Sequence, residues 1–158
     1  MIRPNKSLRS IQIRKLYKSL LYSPSRVERL FAQLDKMGTD SIPTGELSIA
    51  FVNDDIIAQI HLKFMDDPSP TDVITFSGDS EMDLAGEICV SVDHAIKAAP
   101  KYSNTLAREL TLYLVHGWLH LAGYDDTQTQ KRKKMRIAEN QILSLLEATN
   151  SIPNFRIA

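Results

Sequence analysis

The chain has 158 residues, 43% of them hydrophobic, with 19 basic and 19 acidic side chains. That is enough to fill one core without staples, so disorder is not the default, and no apolar run approaches the length that crosses a bilayer. The one cysteine, Cys89, can form neither an intrachain disulfide nor a Cys-based metal cluster, and it reads as an inert core thiol in an intracellular protein.

Met1 to Lys6 lacks an apolar stretch after its charges, so no signal peptide is expected and the chain reads as cytoplasmic, one domain over residues 1–158. The zero net charge is unevenly spread. Residues 1–30 hold eight Lys/Arg against one acid, residues 31–95 two against thirteen, and residues 96–158 nine against five. A polyanion could dock on the basic ends, and ordinary solvated helix faces would give the same pattern.

Residues 7–22 place Leu8, Ile11, Ile13, Leu16, Leu20 and Leu21 mostly at helical spacing, although Ile11-Gln12-Ile13 also alternates like a short strand. Ser23-Pro24 is an N-cap and N1 pairing that opens a second helix, with Val27, Leu30, Phe31 and Leu34 on its buried face and Gly38 to end it. Leu47 to Val52 alternates as a strand, and Asn53 caps a helix whose first turn holds Asp54 and Asp55. Asp72 to Phe76 and Gly86 to Val92 are β-branched runs bounded by Pro or Gly and read as strands, with Ser77 to Asp83 a polar acidic loop between them. Ser103 or Asn104 caps a helix running to about Ala122, with Leu106, Leu110, Leu114 and Val115 as its buried stripe and Gly123 as its left-handed stop. A last helix follows, for which Thr127 with Gln130 makes a capping box.

His116 and His120 lie four apart on that penultimate helix, so both imidazoles leave one face and can reach one Zn²⁺. The turn Gly123-Tyr124-Asp125-Asp126 can return a carboxylate to the helix end. His116, His120, Gly123 and Asp126 then stand at the spacing of the metzincin signature H-E-x-x-H-x-x-G-x-x-H, with Gly117 at the place of its catalytic Glu and Asp126 at that of its third His. The missing Glu argues against ordinary peptidase chemistry. Asp126 has a second reading as the N-cap of the next helix, and His61 and His94 fall in no ligand-like spacing.

The stretch His116-Gly117-Trp118-Leu119-His120-Leu121-Ala122-Gly123-Tyr124-Asp125-Asp126 resembles the signature H-G-x-L-H-L-x-G-Y-D-H of the YbeY family of bacterial endoribonucleases, matching eight of its nine specified positions. Pro70 to Phe76 is similar to the family block P-T-D-V-L-S-F, and Gly86-Glu87-Ile88 to its G-D-I; the likeness covers roughly residues 45 to 147. Two positions depart from the pattern. Asp126 replaces the last metal His, which leaves the site one charge less positive, so that it should polarise bound water less strongly or favour a somewhat harder metal. Met65 falls where the family usually has an Arg, so no phosphate contact is carried over to it, and Lys63, the nearest cation, is the candidate to replace it in part at the RNA, as a point charge without the bidentate fork.

The resemblance implies an α+β fold, a small mixed β-sheet packed with about five helices, one of them a metzincin-like metal helix. It implies a metal-dependent, single-strand-specific endoribonuclease of ribosomal RNA maturation and ribosome quality control, with one Zn²⁺ or another divalent ion on His116, His120 and Asp126. The implied partners are ribosomal RNA and the ribosome or ribosomal proteins, with no membrane and no DNA. Lys131, Arg132, Lys133 and Lys134 start the last helix beside the metal turn and could hold RNA backbone, or form a solvated face opposite Met135, Ala138 and Ile142. A zinc peptidase and a non-catalytic RNA- or ribosome-binding protein are the competing readings.

Overall fold

The computed structural model describes residues 9–37, 42 and 44–158. In chain order its elements are β1 (Ile11–Lys15), β2 (Leu20–Leu21), α1 (Pro24–Lys36), β3 (Glu46–Val52), α2 (Asp54–Met65), β4 (Val73–Asp79), a 3-10 turn (Ser80–Met82), β5 (Leu84–Ser91), α3 (Val92–Lys101), α4 (Leu106–Leu121), α5 (Thr129–Ala148) and β6 (Arg156–Ile157). This is an α+β fold with a mixed sheet in the order β1-β3-β5-β4. The first three strands are parallel, and β4 runs antiparallel to β5 at one edge. A small antiparallel pair, β2 with β6, ties the C-terminal segment to the turn before α1.

Strand alternation divides the core in two. Leu47, Ile49 and Phe51 of β3 and Ile88 and Val90 of β5 face the larger cluster, with Val27, Leu30 and Leu34 of α1, Leu110, Leu114 and Trp118 of α4, and Leu143 and Leu146 of α5. Ala50 and Val52 of β3, Cys89 of β5 and Ile74 of β4 face the other way, onto Ile57 of α2. Burial of Cys89 pushes its thiol up to about 12, in keeping with an inert core residue.

Several expectations change. Residues 11–15 form a strand, not part of a helix over 7–22: Ile11 and Ile13 pair opposite Leu47 and Ile49, and sheet pairing outweighs the helical spacing of the leucines that follow. Leu8 and Gly38 lie outside the described residues. The strand beginning near Asp72 continues to Asp79, so most of the expected loop Ser77 to Asp83 is strand and 3-10 turn. Val92, read as a strand end, is the first residue of α3, a helix the sequence reading lacked; the Ser91 hydroxyl caps it by accepting from the His94 N–H at 3.1 Å. Thr105, rather than Ser103 or Asn104, caps α4, accepting from the Arg108 N–H at 3.1 Å, because Ser103 turns the chain at φ +56° and the Asn104 amide goes to Glu109. Asn53 does cap α2, accepting from the Ile56 N–H at 2.9 Å.

Candidate metal centre

α4 lies flat on the sheet because Gly117 lets it. A Cβ at that position would stand 2.6 Å from Ile88 Cγ2 and 3.2 Å from Thr75 Cγ2, so only hydrogen fits between helix and strands. With that side of the helix pressed down, His116 and His120 emerge one turn apart, about a quarter exposed or less. The helix ends at Leu121, and Gly123 takes φ +99°, open to glycine without penalty. The Gly123 N–H then bonds the His120 carbonyl and the Tyr124 N–H the Leu119 carbonyl, each at 3.0 Å, which folds the chain back over the helix end.

That turn delivers Asp126. Its Oδ2 stands 3.5 Å from Nε2 of His116 and 3.5 Å from Nε2 of His120, and the two Nε2 atoms are 3.0 Å apart. Among the described residues these three form the one group of metal-ligating side chains whose ligand atoms all lie within 4.8 Å of one another. Tetrahedral ligands about 2.0–2.1 Å from a zinc ion lie roughly 3.3 Å from each other, so the triangle is of the right size.

Behind the imidazoles, both Nδ1 atoms meet acceptors, and both Nε2 atoms are on the side of Asp126. His120 Nδ1 meets the Tyr124 carbonyl at 3.1 Å, and His116 Nδ1 meets Glu139 Oε1 at 2.6 Å. A carbonyl and a carboxylate accept, so each neutral ring that donates from Nδ1 has its Nε2 lone pair on the side of Asp126 Oδ2. Acceptors converging at 3.0–3.5 Å repel unless a positive charge sits among them, and the donor set suits a divalent ion of the zinc type. Burial alone would lower the His116 pKa. The Glu139 hydrogen bond and charge, with Asp72 and Asp126, outweigh it and leave the imidazole above its ordinary value.

The neighbouring residues sort themselves. The expected capping box does not form: Gln128 precedes α5, and Thr127 instead gives its N–H and hydroxyl to Asp125, each at 2.9 Å. These donors hold the Asp125 carboxyl below the usual carboxylate range. Asp126 stands outside the cap and is not the N-cap of α5. Lys131, Arg132, Lys133 and Lys134 are all exposed on the first turns of α5, and Lys131 Nζ lies 3.7 Å from Asp125 Oδ2.

Lys63 is not brought to the centre. It lies on α2, across the sheet from α4, with its ammonium 5.2 Å from the Phe64 ring centroid, and Met65 beside it is half exposed. His61 Nδ1 meets the Ser69 carbonyl at 2.8 Å, and the His94 ring packs on Tyr113, so both have structural surroundings. Glu139 is the site neighbour that sequence reasoning missed. Its signal was a carboxylate four residues from both Met135 and Leu143, inside a buried stripe.

Comparison with known proteins bears on the family and the fold. The family model described as Endoribonuclease YbeY matches residues 7–147. The chain is 37% identical to the Endoribonuclease YbeY of Chlamydia pneumoniae over 119 residues, 70% of this chain and 75% of the relative. It is 32% identical to that of Halalkalibacterium halodurans over 149 residues, 86% of this chain and 87% of the relative. The solution structure of TM1509 from Thermotoga maritima superposes with a TM-score of 0.57 at 27% identity, covering 89% of this chain and 94% of that one.

Proposed function

The chain belongs to the Endoribonuclease YbeY family of RNA hydrolases, and from that premise we propose that it is a single-domain, cytoplasmic, metal-dependent endoribonuclease, specific for single strands, that acts on ribosomal RNA in maturation and quality control at the ribosome. The observation that carries the reading is the convergence of His116 Nε2, His120 Nε2 and Asp126 Oδ2. One Zn²⁺, or a somewhat harder divalent ion given the aspartate, would be held by these three atoms. When bound, such an ion supplies Lewis-acid chemistry at a phosphodiester.

The protein's own part is to present three ligand atoms from partly exposed side chains and to offer cations for the RNA backbone. Lys131 to Lys134 serve the second task. Cations near the positive end of a helix dipole weaken that helix, and α5 has no acidic residue in its first turn to offset them. Their placement makes sense as a surface for an external polyanion next to the metal turn. Among the described residues no helix is long and apolar enough to cross a membrane.

A peptidase reading is disfavoured by packing as well as by residue type. A side chain at position 117 would point into Ile88 and Thr75, so α4 cannot present a general base from that position in this arrangement. The test is incubation of purified protein with single-stranded and duplex ribosomal RNA fragments, with added Zn²⁺ or with a chelator. Cleavage confined to the single-stranded fragments and abolished by the chelator is expected. Intact RNA in every arm, with metal bound, would turn the assignment toward a non-catalytic RNA- or ribosome-binding protein.

A further inference from the structure

We propose that Glu139 is a positioning residue of the metal centre, fixing His116 with its proton on Nδ1 and its Nε2 lone pair toward the ion; this rests on reading His116, His120 and Asp126 as a metal site. Glu139 lies on α5, 23 residues from His116, and its side chain is only 13% exposed. Its position puts it in line with Met135, Leu143 and Leu146, the residues by which α5 enters the core. A carboxylate there loses hydration that an apolar side chain would not need, so its presence requires a compensating partner. The partner is the ring nitrogen of His116 at 2.6 Å, a short charge-assisted hydrogen bond.

The two histidines solve the same problem by different means. The Nδ1 proton of His120 goes to a backbone carbonyl that the Gly123 turn places there, so this ring is oriented by chain geometry. His116 stands a turn earlier, where helical carbonyls are occupied within the helix, and its orientation has to come from another element. Glu139 provides it from α5, with a full negative charge that also increases the donor strength of Nε2.

A merely structural ion pair between α4 and α5 would make a different prediction. Glu139→Gln is nearly isosteric, yet an amide can donate as well as accept, so it no longer dictates which nitrogen of His116 is protonated. Zn²⁺ affinity is measured by competition titration, and the His116 tautomer of the metal-free protein by ¹⁵N NMR well above the usual imidazole range. The expected results for Glu139→Gln are a Kd weakened about 10- to 100-fold and a shift of His116 toward the Nε2-protonated form, with Glu139→Ala at least as severe. Glu147→Gln, on the same helix but paired with Arg108, should leave both readouts at parent values. Parent-like Kd and tautomer in both Glu139 variants would overturn the proposal, even if their melting temperatures fell. A parent protein that binds no Zn²⁺ would overturn the metal reading itself, and the role of Glu139 with it.

Discussion

Of the polar side-chain clusters that join elements among the described residues, two invite comparison, one at the ends of the parallel strands and one at the end of α4. In the first, every carboxylate meets donors. The Tyr17 hydroxyl and the Asp54 N–H donate to Asp93, each at 2.9 Å, while the Ser91 hydroxyl and the Lys97 ammonium donate to Asp54 at 2.8 and 2.9 Å. In the second, His116 Nε2, His120 Nε2 and Asp126 Oδ2 converge at 3.0–3.5 Å, while the two Nδ1 atoms are turned away toward Glu139 and the Tyr124 carbonyl. The first cluster is complete as protein, holding the starts of α2 and α3 against the turn after β1. The second, on the function proposed above, would be completed by a divalent cation. Satisfaction of hydrogen-bonding groups is the rule in folded proteins, so the place where acceptors gather without donors is where a ligand is to be sought.

The largest effect should come from removing an acceptor from the second cluster. Without His120 the site keeps two ligands, and His120→Ala should abolish metal binding. In the parent protein, metal at about one hundred times its Kd should add about 2.7 kcal/mol of stability, visible as a raised melting temperature that the variant lacks. Asp54→Asn, in the first cluster, should bind metal as the parent does. Equal metal content in His120→Ala and parent by elemental analysis would remove the contrast between the clusters.

Asp126→Asn is the finer test, because it replaces the anionic ligand with an isosteric amide. Asp126 lies outside the cap of α5, so the metal-free variant should melt with the parent while its metal affinity falls by more than tenfold. Full binding by the Asn variant would make Asp126 a bystander. Gly117→Ala tests the platform beneath the site. Overpacking against Ile88 costs about 1–3 kcal/mol, and the better helix propensity of alanine returns up to about 1 kcal/mol. A net loss of up to about 2 kcal/mol in thermal or urea unfolding is expected; a raised midpoint would show that α4 can lift from the sheet freely.

What could be read in the sequence follows the range of the forces involved. The α4 array was legible because its members are local: His116, His120, the Gly123 stop and Asp126 occupy eleven consecutive residues. β1 was only half legible, since Ile11-Gln12-Ile13 carries strand alternation but the decision rests on pairing with Ile49, far along the chain. α3 was missed because Val92 continues a β-branched run, and only Ser91 used as a cap ends the strand there. The expected number of helices nevertheless agrees with the five observed among the described residues, an agreement in which α3 stands in for the helix expected over 7–22. Glu139 is a tertiary partner, and the fact that it faces His116 depends on how α5 packs across α4, which neither helix records alone.

The smallest expected effect is in the first cluster, and it separates the two by pH. Burial raises the Asp54 pKa, but the hydrogen bonds and charge from Lys97 and Ser91 outweigh it, so the folded value lies below that of the unfolded chain. A carboxyl depressed on folding contributes stability that is present above its unfolded pKa and is lost as pH falls through the folded one. Asp54→Asn keeps an oxygen for Ser91 and loses the ion pair with Lys97, which is largely solvent-exposed, so its cost near neutral pH should be about 1 kcal/mol or less. Urea unfolding across a pH series should show parent and variant separated above about pH 4 and converging below it, as the parent carboxyl takes up a proton. A metal held by imidazoles should leave earlier on the same descent, because histidine ligands as a class take up protons at higher pH than carboxylates do. Metal should therefore leave while the Asp54 contribution is still intact. Stability curves of parent and Asp54→Asn that stay parallel to the acid limit would show that Asp54 is not held below its unfolded value, and the donor-rich cluster would lose its part in the contrast.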